Sequence, residues 1–406
     1  MASSRPGTAP GRGDFISARR PPDGTPLYVH LPFCAAKCHY CDFFSVPAEG
    51  QDRGAFLDEL LREAEVRAPR RPTTVFFGGG TPSLLDASEL SRVLDTLDRI
   101  TGFRSSANEV TLECNPESLD RDKAARLLDL GVNRLSIGFQ SLDDRVLAWF
   151  GRVHDAAASF RAFEAARAAG HSNVSVDLIY AIPGQTVEQW GVDLARVLDL
   201  APDHFSAYNL TFEEDTLFRR WLEEGRIQKL PDEAELAFLA ATRELAARRG
   251  YHAYEVSNFA STGRECRHNV NYWRNGTYLG LGPSAVSKVG LTRLGNTRGI
   301  GAYAKAMRAC ASAITWEDAP SAPVRLAESW WLGLRLAEGV DPAEARLRAG
   351  VDGPDTAIAV ARELEGHGLL IATSGRYRLT DRGLPLADEL ARQFLRAARA
   401  AESVAK

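Results

Sequence analysis

YVHLPFCAAKCHYCDFF, residues 28–44, sets Cys34, Cys38 and Cys41 directly behind a short β-type run, Leu27 to Leu31, and ahead of a helical pattern. Three thiolates held this close can ligate three irons of a 4Fe-4S cluster, which leaves the fourth iron without a protein ligand. An open iron can bind a substrate or a cofactor. Two plainer readings compete. A disulfide framework suits neither an odd set of three cysteines nor a chain without secretory marks. Structural zinc needs four closed ligands, and His30, His39 or Cys114 would have to complete the set, although none sits in a second pair at finger spacing.

At 406 residues the chain can bury the core of one large α/β domain and carry a smaller one. Hydrophobic content of 45% and charged content of 25% are ordinary for a globular protein. A net charge of -4 gives no global reason to expect nucleic acid or an anionic membrane as partner. The first residues, 1–24, are rich in Gly, Pro, Ser and Arg and read as a disordered or loosely docked tail. No segment approaches the roughly 18 to 20 apolar residues of a membrane span, so the expectation is a cytoplasmic protein with at most peripheral membrane contact.

From Leu27 onward, short apolar runs alternate with amphipathic stretches. Strands are expected at LYVHL, TTVFF, EVTLE, RLSIGF, VSVDLIY and FSAYNL, starting at residues 27, 73, 109, 134, 174 and 205. Helical patterns such as ASELSRVLDTLDRI and EQWGVDLARVLDL separate them. Six β/α units in series imply a parallel sheet with right-handed crossovers, and six are too few for the usual eight-stranded closure. The fold class expected is therefore α/β, a partial (β/α)6 TIM-like barrel over residues 25–260. A connecting segment follows over 261–318, then a smaller winged-helix-like α+β domain over 319–393 and a helical tail over 394–406. The small domain reads as three helices followed by two short strands joined at Ser374-Gly375. Its acids and bases are mixed, so nucleic acid is not the expected partner.

Function in such folds collects at the C-terminal ends of the strands. There the sequence places Gly78-Gly79-Gly80-Thr81-Pro82, then Glu113-Cys114-Asn115-Pro116, Gly138-Phe139-Gln140-Ser141, and Asp177 with Pro183-Gly184-Gln185. Each alone has a dull explanation in turns and caps. Sharing one rim with the cysteine loop, they read together as a site for a small polar ligand. The glycine run lets backbone groups approach such a ligand closely, and without a following Gly-Lys-Ser/Thr it is not a phosphate loop. Arg152 can pair with a carboxylate.

The C-x-x-x-C-x-x-C spacing resembles the radical S-adenosylmethionine superfamily, in which the cofactor chelates the open iron and its carbon–sulfur bond is broken by an electron from the cluster. Taken in order, the rim motifs resemble the family of oxygen-independent coproporphyrinogen III oxidases and their haem-chaperone relatives, from Tyr28 to about Arg382. The resemblance implies that Cys34, Cys38 and Cys41 hold the cluster. It implies S-adenosylmethionine contacts at Tyr28, Gly79, Gly80, Thr81, Glu113, Gln140, Arg152 and Asp177, with Tyr40 near the adenine. The decarboxylating oxidases carry a further cysteine at the position of Phe43, whereas the chaperone branch carries the H-N-x-x-Y-W pattern met here by His268, Asn269, Tyr272 and Trp273. The implied function is a haem chaperone rather than an oxidase, although a radical-generating core is kept. Haem, haem-acceptor proteins and an electron donor for the cluster are the implied partners, with His268 as axial haem ligand. Two positions depart from the pattern. Val286 stands where a histidine is usual, and Ala181 replaces a glycine, which would narrow the turn.

Overall fold

The computed structural model describes residues 20–353 and 355–404. Residues 1–19, most of the expected N-terminal tail, lie outside the described residues. The last of that stretch is docked, because Pro21 is buried and Gly24 N–H donates to the Arg70 carbonyl at 3.0 Å.

Six strands form in the expected order: β1 (Leu27–Leu31), β2 (Thr74–Gly79), β3 (Glu109–Cys114), β4 (Arg134–Gln140), β5 (Val174–Tyr180) and β6 (His204–Asn209). Each pairs in parallel with the next. Leu27, Val29, Val75, Leu112, Ile137, Val176 and Phe205 are all buried. In β3 to β6 these apolar residues alternate with buried polar ones such as Thr111, Ser136, Ser175 and Ser206, so the two faces of each strand differ in chemistry. The crossovers α1 (Arg53–Arg67), α2 (Ala87–Thr101), α3 (Arg121–Asp129), α4 (Ala156–Ala168) and α5 (Val187–Leu198) each begin at a capping side chain. Asp52, Asp86, Asp120, Asp155 and Thr186 accept from backbone N–H groups of the first turn. Asp86 and Thr186 complete capping boxes with Glu89 and Gln189.

The sheet is larger than six strands. β7 (His252–Ala253) and β8 (Asn258–Ala260) extend it antiparallel beyond β6, and β9 (Leu279–Leu281) adds in parallel before β1, giving nine strands in all. A three-residue Leu-Gly-Leu strand carries no periodicity of its own, and its partner Leu27–Val29 is far off in sequence.

The C-terminal region has its own core around Trp330, Leu364, Tyr377 and Phe394. Helices Ala322–Leu334, Pro342–Ala349 and Ile358–Gly366 precede the hairpin Leu370–Thr373 and Arg376–Leu379. Ser374 and Gly375 both take positive φ, 52° and 80°, as a two-residue hairpin turn requires. The helix Ala387–Val404 runs unbroken through position 393 and buries Phe394 and Ala398 in this core. The separate tail expected from 394 is corrected accordingly, since the last apolar face belongs to the domain.

Candidate functional site

The cysteine loop leaves β1 and is braced from several sides. His30 Nε2 meets the Phe44 carbonyl at 2.8 Å, and the His30 Nδ1 meets the Tyr28 hydroxyl at 2.9 Å. His39 takes part three times: its backbone N–H donates to Phe150 O at 2.9 Å, its Nδ1 lies 2.8 Å from Trp149 O, and its carbonyl accepts from Phe218 N–H at 3.0 Å. A carbonyl partner fixes the proton on His39 Nδ1. Both histidines are thus occupied in holding the loop. Cys114 is buried in the core with its thiol toward Leu112 O. None of the three side chains once open as a fourth zinc ligand is therefore offered to the cysteines.

Cys34, Cys38 and Cys41 are partly exposed free thiols on one cavity of about 790 Å3. Burial pushes the Cys41 thiol up to about 11 and the Cys34 thiol upward as well, with the neighbouring cysteines adding to both. Among the described residues no three His, Cys, Asp or Glu side chains are gathered for a single metal ion. Thiols spread along a loop fit one ligand per iron of a cluster better than a closed zinc shell.

The same cavity takes in Gly79, Gly80, Thr81, Glu113, Asn115, Gln140 and Asp177 from β2 to β5 and the turns after them, Arg152 from the loop after the helix Asp144–Phe150, and Tyr40 from the cysteine loop. The glycines are sterically required. Gly79 has φ of +110° and a Cβ there would lie 2.5 Å from the His30 ring; one on Gly80 would lie 2.6 Å from the Phe33 carbonyl. Gly80 and Thr81 N–H groups donate to Leu31 O and Phe33 O at 2.8 and 2.7 Å, which ties the glycine run to the strand feeding the cysteines. Thr81 Oγ1 then donates to Cys34 Sγ at 3.6 Å, and Arg152 Nη1 donates to Cys38 Sγ at 3.6 Å. Burial works against the Arg152 charge, but Tyr40, Cys38 and Glu117 around it outweigh that and hold the guanidinium protonated. Tyr40 packs edge-on to Phe150 at 4.9 Å between centroids. Gln140 sits at φ 65°, a left-handed turn that leaves it on the cavity wall.

Two expected residues are placed elsewhere. Tyr28 lines a second, smaller cavity of about 160 Å3 deeper in the barrel, where Glu113, Ser136, Asp177 and Tyr208 also face it. Its hydroxyl is bonded to His30 Nδ1, and the two cavities share Glu113 and Asp177 in their lining. His268 also faces that inner cavity, 1% exposed, with Nδ1 2.7 Å from Thr74 Oγ1 and Nε2 2.9 Å from Tyr272 OH. Phe76 and Tyr272 rings pack on it at 5.3 and 5.0 Å. Burial lowers its pKa to about 3. With both nitrogens taken and a cavity far below the ~300–1,000 Å3 of usual cofactor sites, His268 offers no axial ligand in this conformation. Of the H-N-x-x-Y-W pattern, Tyr272 packs on the histidine itself. Asn115, which sequence reading passed over as a turn residue, lies between Thr81 and Arg152.

The family model described as the radical SAM superfamily matches residues 28–196, and that described as the HemN C-terminal domain matches residues 321–386. The heme chaperone HemW of Bacillus subtilis (strain 168) is 32% identical over 372 residues, covering 91% of this chain and 98% of that protein. The heme chaperone HemW of Mycobacterium tuberculosis (strain ATCC 25618 / H37Rv) is 36% identical over 383 residues, covering 91% and 94%. The solved structure of coproporphyrinogen III oxidase (HemN) from Escherichia coli, described as a radical SAM enzyme, matches with a TM-score of 0.79. It covers 93% of this chain and 91% of that one at 23% identity, a likeness that establishes the fold. With a braced three-cysteine loop at the mouth of a parallel barrel and relatives matched over nearly their whole length, the chain belongs to the heme chaperone HemW family of the radical SAM superfamily.

Proposed function

We propose that this protein is a haem chaperone that keeps a radical S-adenosylmethionine centre and delivers haem to acceptor proteins. The single observation that carries the reading is coverage: relatives named as heme chaperones match 91% of the chain, barrel and C-terminal domain together. The residues present fit the cofactors. Cys34, Cys38 and Cys41 would each hold one iron of a 4Fe-4S cluster, and the bound cluster with S-adenosylmethionine supplies one-electron reduction chemistry.

What the chain contributes is positioning. The backbone of Gly79 and Gly80 would approach an amino acid moiety closely, and Arg152 would answer its carboxylate. Glu113, Gln140 and Asp177 offer oxygens to hydroxyl or amino groups, and Tyr40 an aromatic face. Leu236, Leu239, Val256, Leu384 and Leu386 line the same cavity. They present the apolar surface that a porphyrin takes up. Phe43, 63% exposed beside the cluster loop, stands where the decarboxylating oxidases carry cysteine, which favours the chaperone over the oxidase reaction. An electron donor for the cluster, a reducing cytoplasmic setting and haem-acceptor proteins complete the proposal. Among the described residues no helix is long and apolar enough to cross a membrane.

The test is anaerobic reconstitution followed by haem titration. A cluster spectrum that disappears in the triple variant C34A/C38A/C41A, together with a saturable Soret band, is the expected result. Sustained protoporphyrinogen formation from coproporphyrinogen III would assign the oxidase reaction instead.

A further inference from the structure

The hydrogen bonds from Thr81 to Cys34 Sγ and from Arg152 to Cys38 Sγ share a single origin. Arg152 Nη2 donates to Asn115 Oδ1 at 2.7 Å and to the Gly138 carbonyl at 3.2 Å, leaving Nη1 directed at Cys38 Sγ. Asn115 Nδ2 donates to Thr81 Oγ1 at 3.2 Å and to Glu117 Oε1 at 2.9 Å. The amide orientation follows from its partners, because a guanidinium can only donate and a carboxylate can only accept. The Thr81 hydroxyl has one hydrogen. Asn115 takes a lone pair of that oxygen, and the hydrogen is donated to Cys34 Sγ, 3.6 Å away. Asn115 itself is anchored by its backbone N–H on Ser83 Oγ at 3.2 Å and by Pro116 next in the chain. One side-chain amide therefore orients both donors, one toward each of two sulfurs.

We propose that Asn115 is a positioning residue for the iron–sulfur centre, fixing the hydrogen bonds to the Cys34 and Cys38 sulfurs and so setting the reduction potential of the bound cluster. The inference rests on the reading of the three cysteines as its ligands. Hydrogen bonds donated to thiolate sulfur disperse negative charge, and reduction adds negative charge, so such bonds raise the potential. Removing the amide takes away the donor that orients the Thr81 hydroxyl and leaves the Arg152 fork on the Gly138 carbonyl alone. Both sulfurs then lose their donors together.

The experiment is an EPR-monitored potentiometric titration of anaerobically reconstituted protein without S-adenosylmethionine, which reads the midpoint from whichever molecules hold a cluster. Asn115→Leu, which removes the amide without adding charge, is expected to shift the reduced-to-oxidised ratio at fixed potential at least tenfold toward oxidised. For a one-electron couple that is about 59 mV. Asn115→Asp keeps shape and the Arg152 bond but cannot donate to Thr81, and it too is expected to lower the midpoint. In the Asn115→Leu background, Thr81→Val should add less than it does alone, because the two act through one bond. Midpoints equal to wild type in both Asn115 variants overturn the proposal. So does loss of the cluster from both in folded protein, since Asn115 would then serve assembly alone. A cluster that survives in C34A/C38A/C41A would instead overturn the cysteine reading, a result distinguishable from either.

Discussion

Glu113 and Asp177 line the same cavity and act on each other electrostatically, and Asp177 has more of the hydrogen bonds that favour a carboxylate. Ser136 donates to Asp177 Oδ2 at 2.9 Å and Ser206 to Oδ1 at 2.7 Å, whereas Glu113 receives one backbone N–H, from Gly79, at 3.2 Å. Burial raises Asp177 against those bonds. Burial first, and Asp177 second, push Glu113 up to about 8. Near neutral pH this pair therefore holds a proton on Glu113.

Stability in the cofactor-free protein follows from that shift. Below the ordinary glutamate value of ~4.3 Glu113 is protonated folded and unfolded alike, and its full contribution is present. As pH rises from there toward about 8 the unfolded chain releases the proton first, so stability falls. The slope from this one group is at most about 1.4 kcal/mol per pH unit. Urea midpoints of wild type and Glu113→Gln between pH 5 and 9 should diverge, the variant losing less as pH rises. Parallel curves would contradict the protonated state.

His39 makes a prediction about assembly. Its ring and backbone bind the cysteine loop to the Asp144–Phe150 and Leu217–Glu223 helices through Trp149, Phe150 and Phe218. His39→Ala removes the ring bond, worth about 1 kcal/mol, and the ring packing on Phe218 and Trp221, while the backbone bonds remain. Global melting should change little. Iron and sulfide bound per chain after anaerobic desalting should fall severalfold, because the loop must hold three thiols in place at once. Full cluster content in the variant would remove His39 from that role.

The barrel was legible because β1 to β6 are short β-branched or apolar-rich runs set between capped amphipathic helices. The rim was legible for a related reason: glycines at 79 and 80 are demanded by close approaches to His30 and Phe33. What escaped was set by side-chain partners far apart in the chain. Asn115 is an ordinary turn residue until Arg152 and Thr81 converge on it. His268 reads as a ligand beside aromatics until Thr74, brought in on β2, takes its second nitrogen. The β9 strand is three residues long and exists only because β1 has a free edge.

Ala181 offers a gain in stability. Its φ is 60°, so the absence of glycine here costs conformational energy, about 1–2 kcal/mol for a residue with a Cβ. The glycine's greater freedom in the unfolded chain takes back roughly 0.5–1 kcal/mol. Ala181→Gly should therefore stabilise by about 0.5–1 kcal/mol, read as a higher urea midpoint at unchanged slope. A lower midpoint would mean that the buried methyl group outweighs the backbone strain.

His268 separates a core residue from a haem ligand. As placed, its ring joins Thr74 on β2 to Tyr272 on the helix Arg267–Trp273, whose first N–H groups are held by Glu109. His268→Ala leaves a cavity and two orphaned hydroxyls, a loss of about 3 kcal/mol. Any weakened haem spectrum in that variant would be confounded by unfolding. His268→Gln keeps polar atoms within reach of at least one partner and should melt closer to wild type. Under the geometry seen here, the folded Gln variant keeps the Soret position and haem affinity of wild type. If it melts normally yet loses the band, the helix must swing outward on haem binding and release the imidazole from Thr74 and Tyr272, and the assignment of His268 to the core would fail.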